Sequence, residues 1–335
     1  MALPRLLRPL LVALAASVLA ALAVARWYLD RPLPLPSSPY GFEVSSGATL
    51  GQVARDLAAA GVLPHPAPLV ALARFKGADR AIKAGNYELS EGLTLPGLLA
   101  RLTQGEVSQV AITFAEGTTV RELREALRAR RDVAQETAGL TDAELLAKLG
   151  IAAPHAEGQF FPDTYFFAAG SSDAAILKRA HRLLGERLDA AWAKRSPDLP
   201  LATPYEALIL ASIVEKETGR PAERPLVASV FVNRLRLGMR LQTDPTVIYG
   251  LGEAFDGNLR KRDLEADGPY NTYTRAGLPP SPIALPSRAS LEAVVNPPAT
   301  QYLYFVARGD GTSEFTANLA DHNRAVARYQ LKRGR

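Results

Sequence analysis

The residues best suited to chemistry lie in one short run, Val214-Glu215-Lys216-Glu217-Thr218-Gly219. Upstream, Thr203 suits an N-cap, Pro204 the first helical position and Glu206 a capping box, while Gly219 and Pro221 stop a helix at about Thr218. Between these signals Ala207–Val214 is apolar on every face, which predicts a helix buried on all sides at the centre of a domain. Two carboxylates two residues apart diverge by about 200° on a helix, so Glu215 and Glu217 are not a pair acting on one bond. Glu217 continues the stripe of Leu210, Ile213 and Val214, whereas Glu215 follows the smaller face of Leu208, Ala211 and Ser212. A carboxyl group at a helix C-terminus meets the negative end of the macrodipole, and beside apolar side chains it is also desolvated. Both effects raise its pKa, as a general acid working near neutral pH requires. Two solvated helix-end glutamates would fit the same six residues, and the direction of Lys216 is open.

The segments beyond this helix supply candidates for holding a substrate. Ala222–Leu237 predicts a second helix stopped by Gly238 and carrying Asn233 and Arg234, and Met239–Gln242 alternates like a strand before Thr243-Asp-Pro-Thr-Val-Ile-Tyr249. Asp244 before Pro245 fits an N-cap as well as it fits a site. The loop Tyr270-Asn-Thr-Tyr-Thr274, with Gly277-Leu-Pro-Pro280 after it, offers flat aromatics and amides suited to sugar rings, hydroxyls and acetamido groups. A rigid loop without function would read the same way.

The elements around this centre number more than one domain. The chain has 335 residues, 47% apolar and 22% charged, enough for about two globular domains and too apolar for disorder. The absence of Cys excludes a disulfide scaffold, a thiolate nucleophile and Cys-ligated metal, and four scattered His residues offer no helical ligand spacing, so neither metal nor cofactor is expected. A net charge of +5 suits an anionic partner, but no basic stripe interleaved with aromatics appears, which argues against nucleic acid.

Arg5 and Arg8 precede an apolar run, Leu10–Ala25, closed by Arg26, Trp27 and Tyr28. Sixteen residues span roughly 24 Å, short of the ~30 Å hydrocarbon core unless the aromatic pair sits at the interface. The expectation is an N-terminal transmembrane signal anchor over residues 1–30; Ala21-Leu22-Ala23 leaves a cleavable signal peptide as the rival, and both export the rest. Pro-rich residues 31–39 predict a stiff spacer. A pattern then recurs three times, a β-prone run, Gly, Thr and an apolar helix: Phe42–Thr49 into Leu50–Val62, Tyr87–Thr94 into Leu95–Leu102, and Ile112–Thr119 into Val120–Arg130. Thr49 with Gln52 and Thr119 with Glu122 complete capping boxes. A long helix over about Ser172–Lys194 should bury Ile176, Ala180, Leu183, Leu184 and Leu188. The fold class is therefore α+β, with a small α+β module at 40–110 and a larger mixed α/β domain at 111–330.

Ala211–Thr218, Val227–Leu235, Gly238–Gly250, Tyr270–Tyr273 with Gly277–Pro280, Tyr302–Ala307, and Glu157-Gly with Phe161-Pro-Asp-Thr-Tyr165 together resemble the endolytic murein transglycosylase family (MltG, YceG-like). The resemblance covers the exported chain nearly end to end. It implies a bacterial protein on the cytoplasmic membrane, a LysM-like module at residues 40–110, and a catalytic domain on the extracytoplasmic side that acts on peptidoglycan glycan strands, in company with peptidoglycan synthases. The family's catalytic residue is the second Glu of Glu-Lys-Glu, here Glu217, in agreement with the stripe. It would cleave the β-1,4 bond between N-acetylmuramic acid and N-acetylglucosamine without water and leave 1,6-anhydromuramyl ends. From their positions in the motifs, Gln242, Asp244, Tyr270, Asn271 and Tyr273 are expected to orient the sugars. A muramidase-like hydrolase would need a second acid, with Asp163 and Asp244 as candidates; a non-catalytic wall-binding scaffold is the third reading.

Overall fold

The structure is a computed structural model that describes residues 7–38, 40–45, 47–105 and 109–330. Its elements run α1 (Leu7–Asp30), β1 (Tyr40–Val44), α2 (Leu50–Ala59), α3 (Ala67–Phe75), β2 (Gly85–Leu89), α4 (Leu95–Gln104), β3 (Gln109–Thr113), α5 (Val120–Arg128), α6 (Asp142–Leu149) and β4 (Thr164–Ala168). Next come α7 (Asp173–Trp192), α8 (Pro204–Glu217), α9 (Arg224–Arg236), α10 (Asp244–Leu251), α11 (Lys261–Glu265), α12 (Arg288–Val295), β5 (Tyr304–Ala307), β6 (Ser313–Thr316) and α13 (Leu319–Tyr329). The chain divides into two compact units, one of residues up to Val110 with Phe166–Gly170, the other of Ala111–Tyr165 with Ser171 onward.

In the first unit β1 pairs antiparallel with β2, Phe42 opposite Tyr87, and two helices lie between them in sequence. Val53, Leu57, Leu69, Leu98 and Leu102 fill its core. The expected Thr caps are present: Thr49 closes a capping box with Gln52 on α2, and Thr94 accepts from Gly97 N–H on α4. In the second unit Thr119 closes one with Glu122 on α5.

Two expectations at the N-terminus are corrected. Although α1 is 24 residues long, none of the described helices is long and apolar enough to cross a membrane, so the transmembrane helix over residues 1–30 does not stand; residues 1–6 lie outside the described residues. The run Leu10–Ala25 contains seven alanines, whose methyl groups carry little hydrophobic free energy. The end of α1 is also committed elsewhere, for Tyr28 and Leu29 pack against the first unit's core and Arg26 pairs with Asp30 at 3.0 Å. The Pro-rich stretch is likewise no free spacer. Leu33 is buried in the same core and its N–H donates to the Leu93 carbonyl at 2.7 Å, next to a bridge between Pro32 and Thr94.

The second unit is built around α8. Every residue from Ala207 to Val214 is buried, and α8 packs against α7, α9, α10 and α12. Fully burying each large aliphatic side chain of this helix contributes about 1.5–3 kcal/mol. Strands are minor: β5 pairs with β6 in an antiparallel two-stranded sheet, so the expected α/β domain is in fact α+β with helices at its centre. Met239–Gln242 is not a strand but an irregular connection into α10. Thr203 caps α8 by accepting from Glu206 N–H, but Glu206 bonds the Ala202 N–H at 2.6 Å instead of completing the box.

Candidate active site

The end of α8 sends three consecutive side chains in three directions. Glu215, with its side chain 4% exposed, pairs with Arg224 at 2.8 Å. Its second oxygen accepts from the Ser287 N–H at 2.9 Å and from the hydroxyls of Ser287 and Ser290. Ser287 is the N-cap of α12, so the carboxylate sits at that helix's positive end. Glu215 thus ties α8 to α9 and α12, and its oxygens are spent. Lys216 is exposed and donates to the Gly117 carbonyl at 3.1 Å. Glu217 turns toward the connection before α10, where the Thr243 hydroxyl donates to its Oε1.

Burial pushes the Glu217 carboxyl up to about 6; the Thr243 hydrogen bond opposes the shift, the negative Asp244 adds to it, and the positive Arg234 opposes it. Desolvation leads, as the apolar stripe suggested. The carboxyl therefore keeps its proton to higher pH than an ordinary glutamate does, as a general acid must.

Thr243 is held by its own network. Its N–H donates to Thr272 Oγ1 at 3.1 Å, its carbonyl accepts from Thr246 Oγ1 at 2.8 Å, and the Thr246 and Thr272 hydroxyls lie 2.9 Å apart. The preceding residue, Gln242, has φ of 51°, the only left-handed non-glycine among the described residues. Such a conformation costs of order 1 kcal/mol or more and persists only where the surroundings impose it. Here the Gln242 N–H is anchored to the Thr272 carbonyl at 3.1 Å.

The sequence candidates separate into two groups. Asp244 is the first residue of α10 rather than its N-cap, a place taken by Thr243, and it accepts from the Tyr273 hydroxyl at 2.5 Å. Glu217, Asp244 and Tyr273 are therefore neighbours, and the Tyr273 hydroxyl is raised by burial and by Asp244. Gln242 is exposed at this group's edge. Tyr270 lies to one side, its ring 4.9 Å from that of Tyr249 and its hydroxyl 2.7 Å from Ser281 Oγ. Asn271 points away from solvent: its amide donates to the carbonyls of Asp263, Leu264 and Ala266 and its oxygen accepts the Tyr273 N–H, so it shapes the loop. Asp163 is exposed and accepts its neighbour's N–H, from Thr164, at 2.7 Å.

Three residues escaped sequence reasoning. Thr243 and Arg234 act on Glu217 from 26 and 17 residues away in the chain. Arg234 is buried, donating to the carbonyls of Leu303 and Leu241 at 2.7 and 2.6 Å under the Tyr304 ring. Glu157 is the third. Burial pushes it up to about 7, against hydrogen bonds from the Val120 N–H at 3.0 Å, the Tyr249 hydroxyl at 3.1 Å and the Gly158 N–H at 3.3 Å. The turn beneath it requires glycine, since Gly158 has φ of 78° and a Cβ there would meet Pro282 at 2.5 Å. A lone Glu in the apolar, aromatic stretch Ala156–Phe161 was the available signal.

A cleft of about 910 Å³ is lined among others by Arg121 and Arg128 of α5, Lys216 of α8, and Glu157, Tyr249 and Tyr270. The raised carboxyl in its lining is Glu157, set among aromatics and polar side chains, a combination suited to a carbohydrate.

This combination has known counterparts. The chain belongs to the YceG-like family, which it matches over residues 42–328. A Bacillus subtilis protein named endolytic murein transglycosylase is 32% identical over 304 residues, covering 85% of this chain and 83% of that protein. One of the same name from Streptococcus pneumoniae is 27% identical over 341 residues, covering 91% of this chain and 61% of its own longer length. A solved yceG-like protein from Listeria monocytogenes superposes with a TM-score of 0.54 at 27% identity, over 86% of this chain and 98% of that one.

Proposed function

We propose that this protein is a peptidoglycan lytic transglycosylase that cuts within glycan strands, with Glu217 as its one acid–base group. The observation that carries this reading is the carboxyl at the end of the buried α8, pushed up to about 6 by burial and held by Thr243. Glu217 gives its proton to the glycosidic oxygen between N-acetylmuramic acid and N-acetylglucosamine as an oxocarbenium-like centre develops. It then takes the proton of the muramyl C6 hydroxyl as that oxygen closes onto C1, leaving a 1,6-anhydromuramyl end. The nucleophile is the substrate's own hydroxyl, so no second carboxylate has to activate water. Asp244 supports this division of labour, since it is occupied by the Tyr273 hydroxyl and its negative charge raises the acid. Arg234 and Thr243 favour the ionised Glu217 that must accept the second proton.

The first unit, with two helices between paired strands, supports a LysM-like glycan-holding module. Its substrate puts the protein on the outer side of the cytoplasmic membrane, where it would end strands made by peptidoglycan synthases. Digestion of purified peptidoglycan followed by mass spectrometry tests the activity: anhydro ends, each one water lighter than a reducing end, are expected, and a Glu217→Gln chain that still produces them would refute the site.

A further inference from the structure

The cleft lined by α5, the end of α8 and α10 has an uneven charge. The helix α5 is strongly two-sided, with Val120, Leu123 and Leu127 buried and Arg121 and Arg128 exposed on the opposite side. These two arginines are seven residues apart, so they fall within about 20° of each other and about 10 Å apart along the helix. Lys216, at the end of α8, adds a third cation.

The acidic groups of the cleft do not cancel them. Glu122 is committed to the capping box, accepting the Thr119 N–H at 2.7 Å. Asp142 is paired with Arg124 at 3.0 Å. Glu157 is buried, with both oxygens hydrogen-bonded. Arg121 meets only Glu253, at 3.3 Å in a pair exposed on both sides, which is worth little. Arg128 has no side-chain partner among the described residues, and Lys216 has only a carbonyl. Facing the cations are Ile248, Tyr249 and Phe255.

We propose that this cleft binds the acidic stem peptide carried by the muramyl sugar, with Arg121, Arg128 and Lys216 taking its free carboxylates. The assignment rests on the transglycosylase reading for the ligand's identity. An extended peptide advances about 3.3 Å per residue, so carboxylates some three residues apart match the spacing of Arg121 and Arg128. Guanidinium groups suit carboxylates because two parallel N–H donors meet two oxygens. The apolar wall accommodates the peptide's small methyl side chains. Lys216 at the end of α8 and Pro245 at the start of α10 both line the cleft, and these two elements also carry Glu217 and Asp244, so a sugar held at the acid lies next to the end of the cleft from which α5 runs.

Calorimetric binding of two muramyl peptides to the full chain, one with free carboxylates and one fully amidated, tests this. The free-acid form should bind about tenfold more tightly, equivalent to about 1.4 kcal/mol, and the difference should shrink with salt. The double substitution Arg121→Gln with Arg128→Gln should abolish the preference, and Arg121→Lys with Arg128→Lys should retain most of it. Equal binding of the two peptides, or a preference that survives both Gln substitutions, overturns the assignment. Acid-selective binding by a chain that yields no anhydro ends would keep the cleft and refute the transglycosylase reading, so the two fail separately.

Discussion

Thr243 donates its hydroxyl to the Glu217 carboxylate, and that one contact ties the acid at the end of α8 to the segment that opens α10. The bond favours the ionised acid while burial and Asp244 favour the protonated one. The balance leaves a group able to give and retake a proton near neutrality.

Replacing Thr243 by Val removes a donor to the carboxylate and nearly preserves shape. The Glu217 pKa should then rise further, because the lost bond was a lowering influence. The descending limb of the pH–rate profile should move to higher pH, and kcat should fall by about tenfold to a hundredfold as the acid loses its fixed orientation. An unchanged limb would show that Thr243 does not tune the acid.

For the wild-type chain, kcat/KM should decline as pH rises through about 6, where Glu217 loses its proton. Stability should follow the same group. A carboxyl whose folded-state pKa is raised contributes most below its unfolded value near 4.5, and the contribution is lost as pH climbs through about 6. Glu217→Gln should therefore stabilise the protein at pH 8, by at most about 2 kcal/mol, and leave it nearly unaffected at pH 4. Thermal melting at both pH values reads this, and equal shifts would contradict it.

Glu215→Gln should act on the fold. It leaves the buried Arg224 with only the exposed Glu116, 3.7 Å away, as a counter-charge, at about 3 kcal/mol, and the melting temperature should drop by about 6–12 °C in a domain of this size. From sequence alone this substitution looks like a harmless control beside Glu217; the buried ion pair makes it a poor one. A melting temperature within a degree of wild type would show the pair to be dispensable.

Much of the centre was legible before the structure. The stripe Leu210, Ile213, Val214 pointed to Glu217, and Thr49, Thr94 and Thr119 marked helix starts, because these signals act within one or two turns of chain. The missed residues act across distance. Nothing local to Thr243 indicates that a left-handed Gln242 turns it toward a helix end 26 residues away, and Glu157 acquires its environment from Val120 and Tyr249. Asn271 misled because its amide looked free for sugars, whereas three carbonyls at the end of α11 consume it. The apolar N-terminal run misled because its sixteen residues reach a bilayer's width only with Trp27 and Tyr28 at the interface, whereas Tyr28 packs against the first unit's core.

Asn271→Ala tests the distinction between shaping and touching. Removing the amide's bonds to three carbonyls and the bond its oxygen accepts from the Tyr273 N–H should lower stability by about 1–3 kcal/mol and disturb Tyr270 and Tyr273 together. Activity should fall along with the melting temperature, and a loss of activity at an unchanged melting temperature would mean that Asn271 contacts glycan directly.

Digestion of peptidoglycan in heavy-oxygen water tests whether one carboxyl group cuts the glycan without water. The expected products are 1,6-anhydromuramyl ends carrying no label, and Glu217→Gln should form none. New reducing ends carrying the heavy oxygen would show that water is the nucleophile and contradict a cut without water.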